Sequence, residues 1–458
     1  MDIRFDRRMF LLCAGMAGLF CLSFLVFLYP LLNTVAFLAI VAGTLFLALR
    51  RLEYGLLLAF AELFLGSKGY LFSATIGGAT ISLRMALFII VIGVWLARRS
   101  ATFYLLPSTF SQLLRYIPLF LMILWGIIVG LARGNAFDAL LLDANGYFFF
   151  AYVGPIFEIF SKKEARERVM CVLAASVVVQ ALLTAALAIA FSREWLNLGT
   201  SVYRWVRVTG LGEITLLEGG LARVFFQSHL FALMALLMFG FQGLQSFAVA
   251  TAGAVSLWLS LSRSFWIGAV AGVITAWGAL TRAHAFNMRR FFSPILVAGA
   301  SFLFIVLITP HFNDAVFGRV EDSDEPAASS RMKLLPVLAE EIKKHPIVGS
   351  GFGKTVTYVT DDPRARERVP SGEITTYAFE WGYLDFWVKM GIGGLLAYLY
   401  LLASIFRRGW RSLHSSVHAA PLLGALAALA ITHVFSPYLN HPLGIGFLLL
   451  IDANLQKE

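Results

Sequence analysis

Residues 161–191 read SKKEARERVMCVLAASVVVQALLTAALAIAF, and this stretch decides the fold class. Its portion from 169 to 191 carries no charged side chain and exceeds the ~20 residues that an α-helix needs to cross the hydrocarbon core of a bilayer. The cations just before it, Lys162, Lys163, Arg166 and Arg168, mark the end that stays cytoplasmic under the positive-inside rule. Working outward, comparable apolar runs lie at 9–29, 31–49, 52–66, 84–97, 117–131, 147–160, 224–243, 246–261, 264–280, 292–309, 383–406, 420–435 and 442–452. Runs 52–66, 147–160 and 442–452 are short, so the pattern predicts an all-α polytopic membrane bundle of about 12–14 transmembrane helices. Composition agrees. A chain that is 59% hydrophobic and 14% charged, with 41 Phe and a mean hydropathy of +0.78, lies outside the range of soluble domains.

The remaining basic residues give the orientation. Arg4, Arg7 and Arg8, Arg50 and Arg51, Arg98 and Arg99, Arg282, Arg289 and Arg290, and Arg407, Arg408 and Arg411 fall in alternate connections. They are expected in the cytoplasm, with both termini. The first span reads as a retained anchor rather than a cleaved signal peptide. Net charge of +10 is then an insertion signal and a match to anionic membrane lipids, and implies no nucleic acid. Three domains follow: a bundle over 1–309 with an outer loop at 192–223, a large extracytoplasmic loop over 310–382, and C-terminal helices over 383–458. Cys13, Cys21 and Cys171 all lie in apolar runs, which leaves the outer loops without disulfides or thiolate metal ligands. The acidic patch of Glu321, Asp322, Asp324 and Glu325 reads as a solvated turn.

Positive charge is disfavoured in short outer connections, so Arg204, Arg207, Arg223 and Arg263 demand a reason. Arg204 and Arg207, at i and i+3 in SVYRWVRV (201–208), share one face of an amphipathic helix beside Tyr203 and Trp205. Arg223 immediately precedes the 224–243 run. Arg263 sits in SLSRSFWIG, in a tight hairpin between two spans. A lone helix-end arginine usually snorkels to headgroups. Four on one side point instead to an anion site, since a guanidinium donates paired hydrogen bonds to phosphate and stays charged.

Within the long loop, SSRMKLLPVLAEEIKKHP (329–346) predicts an amphipathic helix. Ser329 or Ser330 would cap it, Met332, Leu335, Leu338 and Ile342 would form its apolar stripe, and Lys343, Lys344 and His345 complement its C-terminal dipole before Pro346 stops it. Gly349, Gly351 and Gly353 of IVGSGFGK allow close backbone approach, but the pattern is no Walker A motif. Glu373, Glu380 and Asp385 flank the re-entry into the membrane, beside Trp381, Tyr383 and Trp387 of an aromatic belt. Asp385 has a partner in Lys389 at i+4. Glu380 has no obvious one, and an acid there can act as a general base.

These pieces in this order, namely Arg223, Ser262–Arg263, Arg331 through His345-Pro-Ile-x-Gly-x-Gly-Phe-Gly353, and Tyr383 through Leu396, resemble the O-antigen ligase and polymerase family of bacterial envelope enzymes. The resemblance covers roughly the C-terminal half. It implies a GT-C glycosyltransferase of the bacterial inner membrane, with no metal or cofactor, acting at the outer face. Its donor would be an undecaprenyl-pyrophosphate-linked oligosaccharide, its acceptor another glycan or lipid-linked glycan, and a chain-length regulator a possible partner. An acceptor hydroxyl would attack the anomeric carbon with inversion. Arg223 and Arg263 by motif, and Arg204, Arg207 and Arg331 by position, would hold the leaving pyrophosphate, with His345, Gly351, Gly353, Lys354 and Tyr383 as further substrate contacts. Where ligases show His-Asn, this chain has Glu380-Trp381, so Glu380 becomes the expected base and polymerisation is favoured over ligation.

Two other readings compete. Glu62, Asp143 and Glu158 within or beside spans would suit a proton-coupled transporter or a flippase of lipid-linked glycans, although no inverted repeat accompanies them. Asp322-Ser323-Asp324 fits a bare Asp-x-Asp metal motif, with no histidine spaced to complete it. His229, inside a run, reads as a packed helix residue.

Overall fold

The computed structural model describes residues 6–100, 112–242, 244–285, 287–309, 312–321, 326–361, 366–367, 369–414, 416 and 418–455. Helix α1 (Arg7–Leu28) starts where the Asp6 carboxylate accepts the Arg8 and Met9 amides, as an N-cap requires. It is followed by α2 (Pro30–Arg50), with proline at its first position, and α3 (Leu52–Leu65). A hairpin, β1 (Ser73–Ile76) and β2 (Ala79–Ser82), leads into α4 (Leu83–Ser100). Then come α5 (Ile117–Ala132), α6 (Phe137–Ala144), a 3-10 stretch (Asn145–Tyr152), α7 (Val153–Ile159) and α8 (Lys163–Ser192). The short α9 (Ser201–Val208) and the hairpin of β3 (Gly212–Leu216) and β4 (Ala222–Phe226) precede α10 (His229–Gly240), α11 (Leu244–Ser260), α12 (Arg263–Arg282) and α13 (Met288–Ile308). The long loop contains α14 (Phe312–Glu321), α15 (Pro326–Lys344) and the hairpin of β5 (Val356–Val359) and β6 (Glu373–Thr376). Helices α16 (Gly382–Ser412), α17 (Ala419–Phe435) and α18 (Pro442–Asn454) complete the described chain. All three hairpins are antiparallel.

Among the described residues, eight helical segments are long and apolar enough to cross a membrane, and four shorter apolar helices accompany them. The all-α membrane bundle is therefore as expected, with fewer full-length spans than the sequence count. The shortfall has a physical cause. Helix α10 is buried along its whole length, and a helix enclosed by others needs no lipid-matched length. By contrast, α1 and α2 expose apolar side chains such as Phe10 (72%) and Leu31 (85%), which suits contact with lipid. The expected span at 224–243 is also corrected at its start: residues 222–226 form β4, so Arg223 stands on a strand rather than at a helix entry.

Side-chain contacts sort the connections into two ends. At one, Arg98 donates to the Ala48 and Leu49 carbonyls, Arg168 pairs with Glu53 at 2.5 Å and Arg99 with Glu158 at 2.5 Å. At the other, Ser23 donates to the Leu71 carbonyl (2.9 Å), the Trp205 indole to Ser23 (3.1 Å), and the Ser67 and Ser228 hydroxyls meet at 3.0 Å. The loop elements α14 to β6 join this second end.

Helix α16 is broken. Gly391 adopts φ 68°, ψ −172° inside it, a conformation that suits only glycine. The freed carbonyls of Val388 and Lys389 accept the Ser350 and Gly351 amides (2.6 and 3.0 Å), and the Ile392 amide donates to Pro346 (3.0 Å). On its other side, the 346–353 turn gives the Phe352 amide to Gly126 of α5 (3.0 Å), while the Asn135 side chain donates to the Ser350 and Phe352 carbonyls. Irregular backbone between membrane helices is tolerated only when so satisfied. Gly351, at φ 81°, has no room for a Cβ against the Gly130 backbone.

The amphipathic helix differs from expectation in two respects. It begins at Pro326, so Ser329 and Ser330 lie inside it, and Ser330 meets the Tyr358 hydroxyl at 3.2 Å. Its buried apolar positions are Leu334 and Leu338, packed with Val356, Phe379 and Val388. Met332 is 59% exposed, because a residue two positions from Leu334 lies across the helix.

Candidate functional site

The β3–β4 hairpin sets the geometry. Its register pairs Glu213 with Phe225 and Thr215 with Arg223, and directly opposed residues project from the same face. Ile214, Ala222, Val224 and Phe226 fill the buried face, so Glu213, Thr215, Arg223 and Phe225 share the half-buried one. Helix α9 docks beside it: Trp205 is buried edge-on against Phe20 and Phe24. That leaves Arg204 and Arg207 exposed on one face, as the spacing predicts, with Arg207 pairing to Glu213 at 3.0 Å.

Arg223 reaches from this face to α11. Its Nε donates to the Ser260 carbonyl at 2.8 Å, and its guanidinium lies 5.3 Å from the centre of the Phe225 ring. Arg263, three residues beyond Ser260, opens α12 after a turn in which Leu261 takes φ 47°. Phe225 stacks on Phe265 (5.9 Å) and Phe265 on Tyr438 (5.7 Å), bringing in the turn after α17. From Ser262 a hydroxyl relay runs through Ser264 to Ser436 (3.2 and 3.1 Å). Phe435 packs on Trp381 (5.9 Å), whose indole donates to the Arg331 carbonyl (2.9 Å). Arg331 in turn pairs with Glu380 at 2.6 Å. A relay of neighbouring residues thus runs from Arg207 and Arg223, past the turn that carries Arg263, to Arg331 and Glu380.

Glu380 therefore has a partner that the sequence did not suggest, because Arg331 lies 49 residues away. The pair is partly open: the Glu380 side chain is 48% exposed and that of Arg331 34%.

The other expected contacts sit elsewhere. Gly351 and Gly353 are buried in the turn against α5 and α6, so the close approach they permit is taken by the protein's own backbone. Lys354 pairs with Glu341 of α15 at 3.2 Å, where Ser350 and Lys344 also bind. Burial raises this carboxyl, and the Ser350 hydroxyl and the two lysines more than offset it, leaving Glu341 below its usual range. His345 is half-buried at the start of the turn. Tyr383 is committed to the Ala430 carbonyl (3.0 Å). Arg204 stands one helical turn before Val208, which lines a cavity of about 180 Å³ with Val26, Phe27, Asn33, Leu71 and Ser73. This cavity includes none of the relay residues.

The acids that suggested transport are each held by a cation. Glu62 binds Arg84 through two hydrogen bonds, Glu158 binds Arg99 and the Trp95 indole, and Asp143 binds Lys389. His229 is packed as expected, between Thr184 and the Phe226 amide. Asp322, Ser323 and Asp324 lie outside the described residues.

Sequence reasoning saw Lys389 only as the neighbour of Asp385. The pair forms, at 2.5 Å, but Lys389 also binds Asp143, whose second oxygen accepts the Gly353 amide (2.9 Å). Asn440 donates to Asp385 (3.0 Å). A charged residue inside the 383–406 run was the available signal. The Tyr377 hydroxyl is pushed up by burial and then by the Asp143 charge.

Residues 246–399 match the family model described as O-antigen ligase. The matched segment runs from α11 into α16 and contains Arg263, Arg331, the 345–354 turn and Glu380, while Arg223 lies outside it. No curated protein and no solved structure matches the chain.

Proposed function

We infer that this multi-pass membrane protein, which residues 246–399 align with the O-antigen ligase family of membrane glycosyltransferases, transfers or polymerises undecaprenyl-pyrophosphate-linked glycan units. Polymerisation is the favoured form, because Glu380 stands where the ligase pattern has histidine. The reaction would take place at the outer face of the cytoplasmic membrane: the basic residues of the opposite end, including Arg98, Arg99 and Arg168, carry the positive-inside signal.

The observation that carries this reading is the convergence of Arg223 and Arg263 on the Ser260–Ser262 turn. A strand and a helix start, both from short connections, bring two arginines to one turn: Arg223 through its side chain and Arg263 through its place in the chain. In the proposed step the acceptor hydroxyl loses its proton to Glu380 as its oxygen bonds to the anomeric carbon. The bond from that carbon to the pyrophosphate oxygen breaks, and the electron pair leaves with the lipid pyrophosphate. Fixed cations at this oxygen lower the barrier because charge grows there in the transition state. Arg331 has two roles in this scheme. Without donor it neutralises Glu380; with donor, the pyrophosphate competes for the guanidinium and releases the carboxylate to act as base.

The test is to incubate the purified protein in EDTA with an undecaprenyl-pyrophosphate-linked oligosaccharide, with and without a second lipid-linked glycan. Self-extension of the donor is the expected result. Transfer only to a different acceptor would make it a ligase, and no transfer to any acceptor would remove the reading.

A further inference from the structure

The buried charges around Lys389 do more than close a helix contact. Lys389 is 1% exposed and Asp385 fully buried, and the Asp143 side chain is 5% exposed. They come from α16 and α6, and their remaining hydrogen bonds go to short connections: the Gly353 amide of the loop turn and Asn440 of the 3-10 turn before α18. The Lys389 ammonium also lies 5.1 Å from the centre of the Phe379 ring, close enough for a cation–π contact. Phe379 is fully buried and directly precedes Glu380. Two segments of the loop therefore rest on one ammonium: the turn leading to Lys354 through Asp143 and Gly353, and the segment carrying Glu380 through Phe379.

Stability alone is a weak reason for such a cluster. Buried ion pairs can often be replaced by apolar residues at no cost, whereas their directional bonds specify one arrangement among several. Here the partners that gain direction are segments without regular hydrogen bonding of their own. Two of the freed carbonyls at the α16 break, those of Val388 and Lys389, serve the same turn.

We propose that Lys389 is a positioning residue, which through Asp143, Asp385 and Phe379 fixes the 349–354 turn and the 377–381 segment so that Glu380 faces the arginine relay. The catalytic consequence rests on the glycosyltransferase reading; the placement of the two segments does not.

Lys389→Met in lipid nanodiscs tests both parts. Amide hydrogen exchange should rise about tenfold or more in 349–354 and in 377–381, with α8 and α10 unchanged, because local opening is set by local contacts. Turnover should fall about 10²-fold with the donor KM within about twofold, as for a misplaced group that does not itself bind substrate. A purely structural role would lower the folded fraction and leave the kcat of folded protein intact. Phe379→Leu, which keeps the charges, should loosen only 377–381 and lower kcat less; it stands in if Lys389→Met does not fold. Wild-type exchange in both segments of Lys389→Met, or in 377–381 of Phe379→Leu when that variant stands in, overturns the proposal. If the wild type transfers no glycan, the function falls while the exchange result still decides whether Lys389 holds the loop.

Discussion

Helix α16 carries a charge cluster around a buried side chain towards each end, Lys389 at one and Asp452 of α18 at the other, and the two are composed oppositely. Near the loop, Lys389 sits between two carboxylates, Asp143 and Asp385. Near the basic end, Arg408 and Arg115 share one carboxylate, Asp452, which also accepts the Tyr116 hydroxyl at 2.7 Å. The second cluster joins α16, α18 and the entry to α5, elements whose backbones are already satisfied by helix bonds. The first reaches the 349–354 turn, whose amides bond instead to carbonyls of α5 and α16, and the single 3-10 turn at Tyr438–Asn440. One cluster fixes how helices pack; the other holds connecting segments, among them Phe379, the neighbour of Glu380.

That contrast can be broken by mutation. The largest effect should come from Asp452→Ala, which leaves two partly buried guanidinium groups uncompensated. About 3–5 kcal/mol of stability should be lost, seen as a lower melting temperature in detergent, while folded molecules keep wild-type turnover. A loss of turnover without a loss of stability would erase the distinction between the clusters.

Next in size is Asn440→Ala. Removing its hydrogen bond strands a buried Asp385 oxygen, at a cost of about 1–3 kcal/mol. Here the 438–441 amides should exchange faster, and turnover should fall with stability, unlike in Asp452→Ala.

A pH effect should come from Glu341. Its carboxyl lies below the ordinary range in the folded protein, so the stability it contributes is present above the unfolded value and lost as pH falls through the folded one. Protection of the 349–354 amides should weaken on acidification, and Glu341→Gln should remove that dependence. The smallest effect belongs to Arg168→Ala. Arg168 is 46% exposed where it meets Glu53, and such pairs contribute about 0.2–1 kcal/mol.

Much of this was legible in the sequence, for reasons that particular residues make clear. Uninterrupted runs such as 169–191 announced helices because nothing else satisfies a backbone in lipid. Arg263 was legible as a rim residue because a two-residue turn leaves it nowhere else to go. The Asp385–Lys389 pair followed from its i, i+4 spacing. What stayed hidden depended on distant chain. Residues 224–226 are apolar enough to extend a helix, and only pairing with 212–214 makes them a strand. The glycines of the 349–353 turn looked like room for a ligand, yet α16 at its Gly391 break fills that room at Gly349, α5 at Gly351 and α6 at Gly353. Glu380 looked unpartnered because Arg331 comes from the opposite side of the loop.

The central claim is that the guanidinium groups of Arg223 and Arg263 stabilise a leaving pyrophosphate. It is tested most directly by kcat/KM for an undecaprenyl-pyrophosphate-linked oligosaccharide in nanodiscs, comparing wild type with Arg223→Ala and Arg263→Ala at matched melting temperature. Each substitution should lower kcat/KM about 10²–10³-fold, the usual loss when one fixed donor to developing negative charge is removed. Wild-type kcat/KM in either folded variant would contradict the account.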